Sequence, residues 1–210
     1  MKVEIWSDVM CPFCYIGKRH FEKALENFEG KENVEITWKS FQLDPDMKAE
    51  NGTNIYDYLA ERKGISREQS RQMHTRVAEM AKAAGLNYDF DKMIVANSFN
   101  AHRFAHFAAS KGKQDAAEEI LFASYFTEGK NIGDTETLVQ LGIKIGLEEN
   151  ELRKLFESDQ YAAEVRMDIA EAQELGARGV PFFVIDRKYG VSGAQPVESF
   201  LQVLNKASGR

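Results

Sequence analysis

The chain has 210 residues, 43% hydrophobic and 29% charged, enough apolar material for a sizeable core under an ordinary polar surface. Its 27 basic against 33 acidic residues leave a net charge of −6, which argues against nucleic acid as a partner, since such a binder carries a basic footprint. Four prolines and the lack of low-complexity tracts exclude long linkers, and no apolar run is long enough to span a membrane.

The chain opens with Lys2, Val3, Glu4, Ile5 and Trp6, a polar–apolar alternation that predicts a strand. It is not the basic start and long apolar run of a secretory signal, so a cytoplasmic location is expected. Ser7 to Met10 read as a loop. From Pro12 a helix fits, with Phe21, Leu25 and Phe28 at helical spacing and Gly30 as its stop. Val34, Ile36 and Trp38 alternate with Glu35, Thr37 and Lys39, a second strand completing a β-α-β unit.

Beyond Thr53 the pattern is helical as far as Gly176. Ser66 followed by Gln69 makes a capping box, and Met73, Val77, Met80, Ala81 and Ala84 form an expected core stripe ended by Gly85. Further helices fit residues 98–110, 114–125, 135–145, 149–156 and 162–175, the last with Ala162, Val165, Ile169 and Ala172 on one face. Two short strands follow at 182–185 and 189–192, then a helix from Pro196, a favoured first residue, to Lys206. The order predicts an α/β domain from residues 1–50 and 178–210, with residues 51–177 as an all-helical insertion domain.

The two cysteines of the chain lie in Cys11-Pro12-Phe13-Cys14, between the first strand and the first helix. With Cys11 as N-cap, Pro12 takes the first helical position, where its missing N–H is no loss. The amides of Phe13 and Cys14 then lack intrahelical partners, and a sulfur at the cap is placed to accept from them as the thiolate. Cys14 lies three residues on, roughly 5–6 Å away, within disulfide reach. A zinc site needs four ligands, and no second cysteine pair exists to supply them. A redox pair is the reading that remains strongest, Cys11 attacking and Cys14 resolving.

Four segments resemble the DsbA family of thioredoxin-fold oxidoreductases, and within it the FrnE-like branch. They are Ser7-Asp8-Val9-Met10-Cys11-Pro12-Phe13-Cys14-Tyr15-Ile16-Gly17, Asn97-Ser98-Phe99-Asn100-Ala101-His102-Arg103, Gly179-Val180-Pro181-Phe182-Phe183-Val184-Ile185-Asp186 and Val191-Ser192-Gly193-Ala194-Gln195-Pro196. The resemblance implies a thioredoxin-like fold interrupted by helices and a disulfide oxidoreductase acting on protein or small-molecule thiols and disulfides. It also implies a cis Pro181 facing the cysteine pair, although a proline opening a strand is ordinarily trans. Pro12, Phe13, Val180, Gly193, Gln195, Asn100 and Arg103 are then expected to line the substrate site. No permanently bound cofactor is implied, and glutathione is a candidate co-substrate, its γ-glutamyl carboxylate held on amides of residues 193–195. The related 2-hydroxychromene-2-carboxylate isomerases and kappa-class glutathione transferases carry serine at the position of Cys11. A glutathione-dependent isomerase or transferase of small aromatic substrates is therefore the alternative. His102 and His106, at i and i+4, read as core or cleft-lining rather than as metal ligands. Asp8 is open between a turn residue and a group acting on the thiols.

Overall fold

The structure, a computed structural model, describes residues 1–48 and 53–209. Among them the order is β1 (Lys2–Ser7), α1 (Pro12–Glu26), a 3-10 turn at Lys31–Asn33, β2 (Glu35–Ser40), α2 (Ile55–Lys63), α3 (Arg67–Ala83), α4 (Phe99–Ser110), α5 (Gln114–Phe126), α6 (Thr135–Lys144), α7 (Glu149–Phe156), α8 (Ala162–Glu174), β3 (Phe182–Ile185), β4 (Tyr189–Ser192) and α9 (Val197–Ala207). Two units emerge, one from residues 1–43 with 163–210 and one from residues 44–162.

The first unit is a sheet of order β2-β1-β3-β4. β1 runs parallel to β2 and antiparallel to β3, with Ile5 opposite Trp38 on one side and Phe183 on the other. β3 and β4 form a hairpin whose turn holds Asp186 and Arg187 at positive φ of 48° and 55°. Asp186 Oδ1 accepts the Lys2 amide at 2.7 Å, which ties that turn to the start of β1.

All four residues of β3 are buried, so the alternation along the strand serves two apolar faces rather than one. Phe183 meets Phe21 of α1 and Phe200 of α9, its ring centroid 5.4 Å and 4.6 Å from theirs. Phe182 and Val184 point the other way and cluster with Trp6 and Ala172 of α8. The Trp6 indole N–H donates to the Asp168 carbonyl at 2.8 Å. The Asp168 carboxylate accepts the Ser40 amide at 3.0 Å and Lys39 Nζ at 2.9 Å.

These contacts assign α8 to the sheet unit, whereas the sequence pattern placed residues 163–177 in the helical insertion. The helix covers the sheet face opposite α1 and α9, and its apolar stripe alone does not say which core it joins. The expected boundary at residues 50 and 51 lies outside the described residues.

In the second unit, Phe104 of α4, Leu121, Phe122, Tyr125 and Phe126 of α5, Leu138 and Leu141 of α6 and Leu152 and Leu155 of α7 are all buried. The Ser66 capping box is present, with Gln69 N–H donating to Ser66 Oγ at 3.1 Å and Ser66 N–H to Gln69 Oε1 at 2.9 Å. The expected stripe of α3 is only partly its buried face, since Val77 and Ala84 are half-buried. Met73 and Met80 are exposed, while Ser70, His74 and Ala81 are buried. The imidazole of His74 sits edge-on to Tyr56 and Phe90, and that aromatic pocket sets the rotation of the helix. Among the described residues no helix is long and apolar enough to cross a membrane.

Candidate active site

β1 delivers the chain to a tight loop that feeds α1. Asp8, completely buried, organises it: one carboxylate oxygen accepts the Met10 amide at 3.2 Å, the other the Leu43 amide at 2.7 Å. Its carbonyl accepts the Cys11 amide at 2.9 Å. Asp8 thus acts as a turn residue, and its carboxylate also joins the loop to the segment after β2.

Cys11 is the N-cap of α1, at φ −86° and ψ 112°, and Pro12 begins the helix. The expected cap bonds differ from those formed. The Cys11 side chain makes no cap hydrogen bond, and the Cys14 amide donates to the Cys11 carbonyl at 3.0 Å. The Cys11 thiol turns instead to the neighbouring loop and donates to the Val180 carbonyl at 3.4 Å. A thiol proton needs an acceptor, and a carbonyl facing the helix end supplies one that helix amides cannot.

The two thiols are free and 3.6 Å apart, Cys11 4% and Cys14 1% exposed. The gap is wider than a disulfide bond of about 2.05 Å, so closure requires a small movement of the sulfurs. The Cys14 thiol is pushed well up from its ordinary pKa, first by burial and then by the adjacent Cys11. The Ser7 hydroxyl and the Asp8 backbone pull it down. Lys18 and Arg19 are committed elsewhere: Lys18 is buried and paired with Glu22, and Arg19 donates to Glu22 and to the Tyr15 hydroxyl.

The Val180–Pro181 peptide is cis. The Pro181 ring lies against α1 at Gly17, where a Cβ would stand 2.9 Å from Pro181 Cγ and 3.5 Å from Ala194 Cα. Glycine is required at that close approach. The Pro181 carbonyl accepts the Gly193 amide at 2.8 Å, so the loop before β3 and the loop after β4 are joined. Gly193 takes φ +80°, and Gln195 donates its amide to the Gly193 carbonyl at 2.9 Å. The Gln195 side chain donates to the Ser192 carbonyl at 2.8 Å. His20 Nδ1 lies 2.9 Å from the Gln195 carbonyl and, against that acceptor, donates. The amides of Gly193 and Gln195 are thus both spent on backbone carbonyls of the protein.

Cys11, Cys14, Pro12, Phe13, Val180, Pro181, Gly193 and Gln195 all belong to the sheet unit, and Phe13 is exposed beside the thiols. Asn100 and Arg103 belong to the helical unit. There Arg103 is buried, donating to the Leu155, Ser158 and Gln160 carbonyls and to Asn100 Oδ1. These bonds tie Arg103 to the carbonyls at the end of α7 and just after it. His102 is buried, and His106 stacks on Tyr161 with ring centroids 6.1 Å apart. Among the described residues no group of three or more His, Cys, Asp or Glu side chains is placed to hold a metal ion. The sequence pattern reads Ser7 as a loop residue, whereas it is the last residue of β1, paired with Ser40 of β2.

The chain matches the DSBA-like thioredoxin domain over residues 2–205. A crystal structure described as a probable DsbA oxidoreductase from Streptomyces coelicolor is 40% identical, with a TM-score of 0.95, covering 100% of this chain and 91% of that one. The uncharacterized protein YwbO of Bacillus subtilis is 28% identical over 186 residues, 87% of this chain and 86% of its own length. At the level of fold alone, the chain is similar to the cytosolic disulfide reductase DsbM of Pseudomonas aeruginosa, determined with GSH. That likeness has 16% identity and a TM-score of 0.70, covering 100% of each chain. A 2-hydroxychromene-2-carboxylate isomerase shares the fold at 16% identity and a TM-score of 0.71, covering 100% of this chain and 95% of that one. A match over nearly the full length, around paired thiols at the start of α1, makes this chain a member of the DSBA-like thioredoxin domain family.

Proposed function

We propose that the protein is a thiol–disulfide oxidoreductase whose redox pair is Cys11 and Cys14. The observation that carries the reading is two free thiols 3.6 Å apart, one on the N-cap residue of a helix and the other buried within its first turn. In the reducing direction, the Cys11 thiolate attacks a substrate disulfide, forms a mixed disulfide and releases the first substrate thiolate. Cys14 then loses its proton and attacks Cys11 Sγ. The Cys11–Cys14 bond forms, the mixed disulfide breaks, and the second thiolate leaves with the balancing proton. Two electrons pass from the dithiol to the substrate, and the reverse sequence oxidises a substrate dithiol.

Substrates are protein or small-molecule thiols and disulfides, with the thiol glutathione as a co-substrate, laid in extended form along Val180 beside Pro12 and Phe13. A reducing cytoplasm would return the pair to thiols after each turnover. Replacing Cys14 with Ala should leave the first step and remove the second, so a mixed disulfide at Cys11 accumulates and is visible by mass spectrometry. Turnover unchanged by Cys14→Ala would overturn the assignment. A glutathione-dependent isomerase needs no resolving thiol, so that same result would favour it.

A further inference from the structure

The resolving step poses a problem that the cysteine pair does not solve by itself. Cys14 is 1% exposed and its thiol is pushed up by burial, yet it must carry negative charge to attack Cys11. Water does not reach it, so the charge must be met by donors of the protein.

Ser7 is the last residue of β1 and is 2% exposed. Its carbonyl is spent on the Phe41 amide at 2.9 Å, but its hydroxyl has no hydrogen-bond partner while both cysteines are thiols. A buried hydroxyl without a partner destabilises a protein and calls for an explanation. A tight turn, with the Cys11 amide on the Asp8 carbonyl, joins Ser7 at the end of β1 to the helix that carries Cys14. There the Ser7 hydroxyl and the Asp8 backbone are the groups that favour a charged Cys14.

We propose that Ser7 is a catalytic residue of the second half-reaction, its hydroxyl donating to the Cys14 thiolate as that sulfur attacks the mixed disulfide at Cys11. The proposal rests on the oxidoreductase reading. The hydroxyl is unpartnered against the neutral thiol and gains its bond only when charge develops there. Such a donor stabilises the reacting state more than the resting one. Cys14 still passes its proton to the departing substrate thiolate, and Ser7 keeps its own.

The test uses the Cys11→Ala background, in which Cys14 is the one thiol left to titrate, followed by thiolate ultraviolet absorbance against pH. Adding Ser7→Ala should move the Cys14 titration upward by roughly one pH unit, the size expected for a hydrogen bond to a charged group. In the protein with both cysteines, Ser7→Ala should slow resolution of the mixed disulfide roughly tenfold at neutral pH. The burst of adduct formation at Cys11 serves as internal reference. Because the lost hydroxyl has no partner in the thiol form, resistance to denaturant should be equal or slightly higher. A titration that stays in place, or a variant that unfolds more readily while resolving at the normal rate, would show a merely structural hydroxyl and overturn the proposal. The two readings separate cleanly. An unmoved titration with normal disulfide turnover removes Ser7 alone. A shifted titration in a protein that turns over no disulfide removes the oxidoreductase reading and the step assigned to Ser7, and leaves only its bond to Cys14.

Discussion

Gly17 shows how closely single atoms control the thiol site. It faces Pro181 with no side chain, and a Cβ there would approach Pro181 Cγ to 2.9 Å. The proline ring cannot swing aside as a flexible chain end would. Gly17→Ala should therefore push the Val180–Pro181 turn away from α1 and lengthen the Cys11–Val180 hydrogen bond. Overpacking of this kind costs roughly 1–3 kcal/mol. A lowered denaturant midpoint together with slower adduct formation at Cys11 is the expected outcome; an unchanged midpoint would mean that the turn yields at no cost. The nearness of the thiols was legible from their spacing, because i and i+3 share a helix face. The direction of the Cys11 thiol was not, since Val180 is 169 residues away.

For α3, the local grammar and the tertiary result diverge. Its start was readable because a capping box acts within three residues. Its buried face was not, because counting apolar residues selects Met73 and Met80, whereas the pocket of Tyr56 and Phe90 takes His74. That choice has a pH consequence. Burial pushes the His74 imidazole down from its ordinary pKa, although its Nδ1 donates to the Ser70 carbonyl at 2.8 Å. The unfolded chain takes up a proton near pH 6.5 while the folded protein resists it. The stabilisation is thus complete above about pH 6.5 and declines as the pH falls through the lower folded value. His74→Phe should flatten the fall in urea midpoint between about pH 7 and about pH 5. An equally steep profile in that variant would move the responsibility to other groups.

The whole sheet unit is built from the two ends of the chain, so its stability depends on contacts that span almost the full sequence. Phe200 of α9 is fully buried, with its ring centroid 5.6 Å from Phe21 and 4.6 Å from Phe183. Phe200→Ala should cost roughly 3–5 kcal/mol. Hydrogen exchange should then quicken in β1 and α1, far from the substitution in sequence, as well as in α9. Faster exchange confined to α9 would show that the C-terminal helix is a separable cover rather than part of one cooperative unit.

By itself the sequence determined the kinds and order of the elements other than α2, and the cysteine pair at the head of α1, while the family followed from the resemblance of whole motifs. The elements and the cysteine pair rest on alternation, capping or spacing within a few residues, where local backbone geometry dominates. Only the tertiary structure decided that α8 covers the sheet, that Asp8 and Arg103 hold loops and a helix end, and that the Cys11 thiol meets Val180. It alone buried the Ser7 hydroxyl at the end of β1 without a hydrogen-bond partner. Those outcomes depend on which buried polar groups find partners across long stretches of chain, and that competition is resolved only when the core closes.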